Sequence, residues 1–390
     1  MDLLESANAP VETLQKLLDA GASLNALDPF GNEAVLHKAA KAGNVRNVAW
    51  LLEHGAKWNF GATMPGQLAL QNGHKECYDV IFEHAVKEQY ERFSKPYKPV
   101  QEEEWEVTID QKRADNKEWV ETSKLGMYDK VLLDHGGVGV MMEWERPIMK
   151  KTASLLLDGL GKGKRVLNIG FGMGIIDTFF QSYEPSHHTI IEAHPQLLKY
   201  MRRTGWYNKP NVRILEGRWQ EFLLPAEREK LRGTERLMRM TVTSGEAVLR
   251  GVGKFDVVYF DTFQEGYWGG LDFFRCVPGL LLNEQSRFSF FHGHGRHYEF
   301  LYRVIAEVAK RQLRDIGLDT EWYKVTVDPK TMFLSVVKRE CGDEQKHPHL
   351  IPICTPIKKP GLMGEETAKV IDTSETSKTS SEPGAAITPV

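Results

Sequence analysis

Three glycines at alternate positions, Gly170, Gly172 and Gly174, close an apolar run in KRVLNIGFGMGIID, from Lys164 to Asp177. A buried strand (Val166, Leu167, Ile169) that empties into glycines lets the backbone turn sharply and approach a ligand closely. The helix that follows offers free N–H groups to polar ligand atoms. The chemistry this suits is the seating of a nucleotide-like cofactor, although a glycine-rich strand-to-helix turn also occurs with no ligand at all. A nucleotide unit adds a ribose-binding acid about 20 residues on, at the end of the next strand. Glu192, closing His188-Thr-Ile-Ile-Glu192, stands there. Its carboxylate can accept from both ribose hydroxyls, whereas the plainer reading makes it a solvated strand end.

A dinucleotide fingerprint, G-x-G-x-x-G, needs glycine where Ile175 stands, so the G-x-G-x-G loop of enzymes using S-adenosylmethionine (AdoMet) fits better. The elements that must carry these residues are legible along the chain. From Lys164 onward strands alternate with helical stretches: RVLNIG, HTIIEA, VRILEG, FDVVYFD and RFSFFHG, then a late pair, TEWYKVTVD and TMFLSVVKR. This is α/β patterning and predicts a doubly wound seven-stranded sheet, its last two strands paired as an antiparallel hairpin at one edge. The segment 227–250, between the third and fourth strands, reads as an inserted surface helix.

Upstream, LLDAGASLN (Leu17 to Asn25) returns as LLEHGAKWN (Leu51 to Asn59), a shift of 34 positions from Leu17 to Leu51. The intervening unit resembles an ankyrin repeat, with His37, Ala39, Ala40 and Gly43 at its helix and turn positions; a third unit echoes it at Ala69 and Gly73. Small alanines let helix pairs stack, and glycine ends a helix in a left-handed conformation. Such arrays bind protein partners or, at about three units, brace a neighbouring domain. The boundaries expected are 1–90 for the repeats, 91–118 for a charged linker including Glu102, Glu103 and Glu104, 119–340 for the catalytic domain, and 341–390 for a largely disordered tail.

The 390 residues carry a formal charge of −3 and 41% apolar side chains, the composition of a soluble globular chain, which argues against general nucleic-acid binding. Cys77, Cys276, Cys341 and Cys354 show neither zinc nor disulfide spacing, and no signal pattern or spanning apolar run is seen, so cytoplasm or nucleus and no membrane are expected. His292, His294 and His297 have chelating spacing but no acid or cysteine beside them, and no metal is expected.

Two further stretches, VMMEWERPIM (Val140 to Met149) and YFDTFQEGYW (Tyr259 to Trp268), make the likeness specific. Together with GFGM, the strand ending in IIE and GRW, they resemble guanidinoacetate methyltransferase. With ankyrin-like repeats in front, the chain is similar to the fungal protein arginine N5-methyltransferases, the type IV arginine methyltransferases. The resemblance runs from the repeats through about Trp119 to Lys338. It implies a class I AdoMet-dependent methyltransferase fold and AdoMet as cofactor. Phe171, Gly172, Met173, Gly174, Ile175 and Ile176 match the family's cofactor loop, and Glu192, Ala193 and His194 its ribose segment. Trp219 and Gln220 match the adenine-contacting pair; Trp119, Met141 and Met149 match residues of an N-terminal lid, with Tyr128 an alternative to Trp119 as the stacking aromatic.

Glu145 and Asp261 match the family's guanidine-binding acids, Asp261 being placed at the cofactor as well. Arginine stays protonated, with a pKa above about 12, so its nitrogens attack only when a proton leaves and the plane is held. Paired carboxylates do both, Asp261 as base and Glu145 as clamp. The plainer readings are an ion pair of Glu145 with Arg146 or Lys150, and Asp261 as a helix N-cap. SFFHGHGRH, from Ser289 to His297, replaces the small-substrate enzyme's carboxylate-binding segment, which favours a protein substrate, a ribosomal protein by resemblance. A small-guanidine methyltransferase, an inactive repeat scaffold and a nicotinamide oxidoreductase are the alternatives.

Overall fold

The computed structural model describes residues 3–30, 33–61, 63–95, 116–128, 131–224, 252–327 and 348–358. Five helices form the repeats: α1 (Val11–Asp19), α2 (Val35–Ala42), α3 (Val45–Glu53), α4 (Pro65–Gln71) and α5 (Lys75–Phe93). Ala39, Ala40 and Ala69 are wholly buried where the helix pairs meet. Gly43 ends α2 at φ 76°, with the His74 ring so close that a Cβ would lie 2.5 Å from it. His37 shows why this motif wants histidine: its Nδ1 accepts from Ala34 N–H, so Nε2 carries the proton and donates to Phe60 O at 3.2 Å. Burial lowers its pKa to about 4, which keeps the neutral ring this bridge requires.

After α6 (Asn116–Thr122) comes a small antiparallel sheet, β1 (Gly126–Tyr128), β2 (Val131–Leu133) and β3 (Gly139–Met142), for which the sequence gives no period long enough to read. A 3-10 turn at Glu143–Glu145 leads into α7 (Arg146–Leu157). The main sheet then builds from β4 (Arg165–Ile169), α8 (Ile175–Ser182), β5 (His187–Glu192), α9 (Pro195–Arg203), β6 (Val212–Glu216) and α10 (Trp219–Leu223). It continues with β7 (Val257–Phe260), α11 (Gly266–Phe274), α12 (Val277–Leu280), β8 (Arg287–Phe290), α13 (Glu299–Asp315), β9 (Leu318–Val325) and β10 (His349–Pro356). The seven strands lie in the order β6-β5-β4-β7-β8-β10-β9, six running one way and β10 alone reversed, so the doubly wound fold is as expected.

One strand corrects the sequence reading. The antiparallel partner of β9 is His349–Pro356, inside the stretch expected to be a disordered tail. Its prolines, Pro352 and Pro356, disguise it, yet Ile351, Ile353 and Cys354 are buried. β10 pairs with β8 only at Cys354–Phe288, so at Pro352 the ladder toward β8 has lapsed and a missing N–H on that side is tolerated. TMFLSVVKR, the segment expected in that place, lies outside the described residues, as do most of the linker with Glu102, Glu103 and Glu104, Cys341, the insertion 227–250 and the chain beyond 358. The linker's expected ends also move: α5 runs on to Phe93, and α6 already starts at Asn116.

The repeats share a core with the sheet, a single buried cluster running from Leu36 and Ile81 through Val304 and Ile305 on α13 to Phe288 on β8. Phe300 is its wedge, with ring centroids 5.6 Å from Tyr78, 6.1 Å from Phe82 and 6.0 Å from Trp58. Gly66 on α4 leaves it room, since a Cβ there would come within 2.1 Å of the Phe300 ring. Tyr90 donates to Asp315 at 2.5 Å and Arg311 to Glu83 at 2.9 Å along the seam.

Candidate active site

Register brings the functional residues to one sheet edge. Ile169 is paired with Ile191 on one side and Phe260 on the other, so Gly170, Glu192 and Asp261 all follow directly from the carboxyl ends of neighbouring strands. Strand order reverses about β4, and ligands in open α/β sheets bind at such a switch point. Gly170 N–H donates to Ile191 O and Asp261 N–H to Ile169 O, each at 2.9 Å. At φ 90°, Gly170 passes so close to its neighbour that a Cβ would sit 1.9 Å from Asp261 O. Gly172, at φ 55°, lies under Met141, whose sulfur would be 2.7 Å from an added Cβ. Between these strand ends, α6 and β3 lies a cavity of about 260 Å³.

Glu192 fastens the glycine turn. Its Oε2 accepts from Phe171 N–H at 2.8 Å and its Oε1 from His194 N–H at 2.7 Å. Burial raises its pKa, and those two amides with Ala193 and Gly172 oppose the rise. His194 Nδ1 accepts from Gln196 N–H, which leaves Nε2 to donate to Ser123 Oγ at 3.0 Å and holds α6 over the cavity. Trp119, also on α6, packs against His194 and Phe263 with centroids 5.2 and 5.1 Å away.

Glu145 and Asp261 line the same cavity. Burial raises Asp261 to about 7, opposed by a hydrogen bond from Tyr259 and reinforced by Asp177. Burial and then the charge of Asp261 raise Glu145 to about 8, while Arg296 and Met142 N–H pull it down. Both acids are thus held above the usual carboxylate range, and with one charge raising the other they titrate as a pair. Arg146 pairs with Glu143 and not with Glu145, and the helix after Asp261 does not begin until Gly266, so Asp261 is not its N-cap. An arrangement of two half-buried acids around one space suits a planar cation that donates from several nitrogens.

Of the residues the sequence singled out, Trp119, Met141, Glu145, Gly172, Glu192, Ala193, His194, Trp219 and Asp261 line the cavity. Others stand behind its wall. Phe171 packs on Trp206 at 5.2 Å, Met149 lies under Tyr259, Ile175 and Ile176 fill the core below the turn, and Gly174 is the left-handed N-cap of α8. Met173 N–H points to the Met141 sulfur at 3.2 Å, and Gln220 is wholly buried beside Trp219. Tyr128 is corrected: it is 61% exposed at the end of β1, off the cavity wall, because that short strand turns its side chain to solvent. His292, from the histidine triplet, is a core residue stacked on Tyr302 at 4.3 Å.

Sequence reasoning missed three residues. Tyr259 lies two residues before Asp261, at the end of β7, so strand alternation carries both to one face, a signal that was available. Glu265 lines the cavity and binds Trp219, Arg296 sits 5.1 Å over the Trp144 ring beside Glu145, and no local pattern marks either of these two.

A family model described as guanidinoacetate N-methyltransferase matches residues 111–234, and an ankyrin-repeat model in three copies matches residues 3–91. The protein arginine N-methyltransferase 2 of Cryptococcus neoformans var. neoformans serotype D is 33% identical over 344 residues, spanning 83% of this chain and 85% of its own. That of Aspergillus oryzae is 40% identical over 205 residues, 53% of this chain and 44% of its own. Among solved structures, spermidine synthase in complex with the transition-state analogue AdoDATO aligns with 60% of this chain and 72% of its own, at 15% identity and a TM-score of 0.38.

Proposed function

The chain belongs to the protein arginine N-methyltransferase 2 family, and on that premise we propose that it is an AdoMet-dependent enzyme methylating the δ nitrogen (N5) of arginine residues in a protein substrate, with a ribosomal protein as substrate class. One observation carries the reading: two half-buried acids share the cavity that the glycine turn floors.

The residues fit the cofactor. Glu192 lines the cavity at the end of β5, where a carboxylate can accept from a ribose diol. Thr262 Oγ1, in the cavity wall, is a buried polar atom with no hydrogen-bond partner in the protein, as befits a site completed by a polar ligand. When bound, AdoMet supplies an electrophilic methyl on a sulfonium. Glu145 and Asp261 hold the arginine guanidinium, and fixing that plane contributes on the order of 7 kcal/mol of the barrier if the geometry is well aligned. The new bond is N–CH3, the bond broken is S–CH3, and the proton displaced from the guanidinium goes to Asp261. Trp119 and α6 cover the cavity and exclude water.

The guanidinoacetate N-methyltransferase match favours a second reading, a small guanidino compound as acceptor. Both are tested at once by incubating the protein with methyl-labelled AdoMet and, in separate reactions, a fungal ribosomal-protein fraction, guanidinoacetate and free arginine, then hydrolysing the labelled product. Label on the δ nitrogen of protein arginine is expected. Label on a terminal nitrogen would overturn the N5 assignment, and label only on guanidinoacetate would overturn the protein substrate.

A further inference from the structure

Beside the catalytic cavity lies a second hollow, of about 670 Å³, between α9 and the small sheet. The two share a wall, since Leu197 lines both. The floor is apolar: Leu132 and Leu197 are buried, Leu125 and Tyr200 half-buried, and Met127 stands on the rim at 38% exposure. Gln196 sets the width. Its Oε1 accepts from Leu125 N–H at 2.7 Å and its Nε2 donates to Leu125 O at 3.2 Å, which fixes the spacing between α9 and the start of β1.

Charge in this hollow is one-sided. Lys199 and Arg203 follow Gln196 by three and seven residues, so all three lie on one stripe of α9, and both cations are exposed. The Arg203 guanidinium lies 5.6 Å from the Tyr200 ring centroid, over the floor. Arg202 beside it is already committed to Glu216 and to the Tyr207 ring. Among the described residues no acid lines the hollow to answer Lys199 and Arg203. A cationic rim over an apolar floor is complementary to a peptide that carries apolar side chains among acids. Nucleic acid would want aromatic platforms and a longer run of cations than this.

We propose that this hollow docks an acidic, apolar segment of the protein substrate, apart from the arginine that enters the catalytic cavity. The inference rests on the reading that the acceptor is a protein. Gripping the neighbouring chain raises the effective concentration of its arginine at Glu145 and Asp261 without touching the reacting atoms. Free arginine and guanidinoacetate gain nothing from it.

The test has a binding arm and a transfer arm, both on the full chain, with the melting temperature of each variant recorded. A fluorescein-labelled peptide that alternates Leu and Phe with Asp and Glu, and lacks arginine, is titrated by fluorescence anisotropy beside its counterpart with Lys at the acidic positions. The wild type is expected to prefer the acidic peptide by about tenfold, and K199E/R203E to lose the preference, the scale of two exposed ion pairs turned to repulsions. In the transfer arm, K199E/R203E should raise the apparent KM for a fungal ribosomal-protein fraction by about tenfold, with kcat and S-adenosylhomocysteine affinity unchanged. The acidic peptide should compete with that fraction on the wild type. K199A/R203A serves where the reversed charges do not fold, with effects of about threefold. Equal affinity for the two peptides, a preference that survives in a folded variant, or an unchanged KM overturns the docking surface. So does a dimer that the acidic peptide dissociates in sedimentation, because a second copy would then cover this face. Absence of label on any protein, with S-adenosylhomocysteine still bound, instead overturns the protein-substrate reading, and the docking inference falls with it.

Discussion

Asp261 and Glu145 do not titrate independently, and the pair sets the pH behaviour of the site. Burial raises Asp261 to about 7 and, together with the charge of Asp261, raises Glu145 to about 8. A base must be ionised to act, so kcat/KM is expected to rise as the pH climbs through 7 and to level off above 8. Tyr259 donates to Asp261 and favours its ionised form, so Tyr259→Phe should move the midpoint of that profile upward; a midpoint that stays put removes Tyr259 from the account. Asp261→Asn keeps the shape of the side chain and abolishes its basicity. Turnover is expected to drop by roughly 10²- to 10⁴-fold with S-adenosylhomocysteine affinity little changed, and near-normal turnover would disqualify the base. At this scale the sequence revealed the acids only through their matching motifs. The neighbours that tune them, Tyr259 and Arg296, come from β7 and from the loop before α13, and only the fold brings them together.

Elements were legible in proportion to their periodicity. β4 to β8 are short apolar runs bounded by glycine and turn residues, and each appears where its pattern places it. The three-stranded sheet was not read, because strands of three and four residues give alternation too little length. β10 was missed for a different reason: proline argues against an inner strand, and only the lapse of pairing toward β8 lets this one carry it. The turn after β4 was read from glycine chemistry alone, and the structure gives that chemistry a steric cause in the Asp261 carbonyl. Gly170→Ala combines a left-handed backbone with a collision against main chain. It should destabilise the protein by about 1–3 kcal/mol at least in denaturant melts and weaken cofactor binding with it, and an unchanged melt would show that the turn relaxes freely.

At the level of the whole molecule, the repeats and the sheet are joined by a buried aromatic seam about Phe300. The same seam reaches toward the site, since Phe93 at the end of α5 packs on Tyr267 and Trp268 at 4.3 and 5.1 Å, immediately after Glu265. The repeats therefore brace the catalytic domain, one of the two roles their sequence allowed. Phe300→Ala should cost about 3–5 kcal/mol and separate a single thermal transition into two; one unshifted transition by calorimetry would mean the halves do not depend on this contact.

That seam also has a consequence for how the chain is made. Tyr78 and Phe82 emerge from the ribosome about two hundred residues ahead of Phe300, which at roughly 5–20 residues per second is a wait on the order of 10–40 seconds. Throughout it the finished repeats carry an uncovered aromatic face, the kind of surface that holding chaperones grip. Nascent chains stalled near residue 200 should accordingly bind such a chaperone, and release it once synthesis has passed α13.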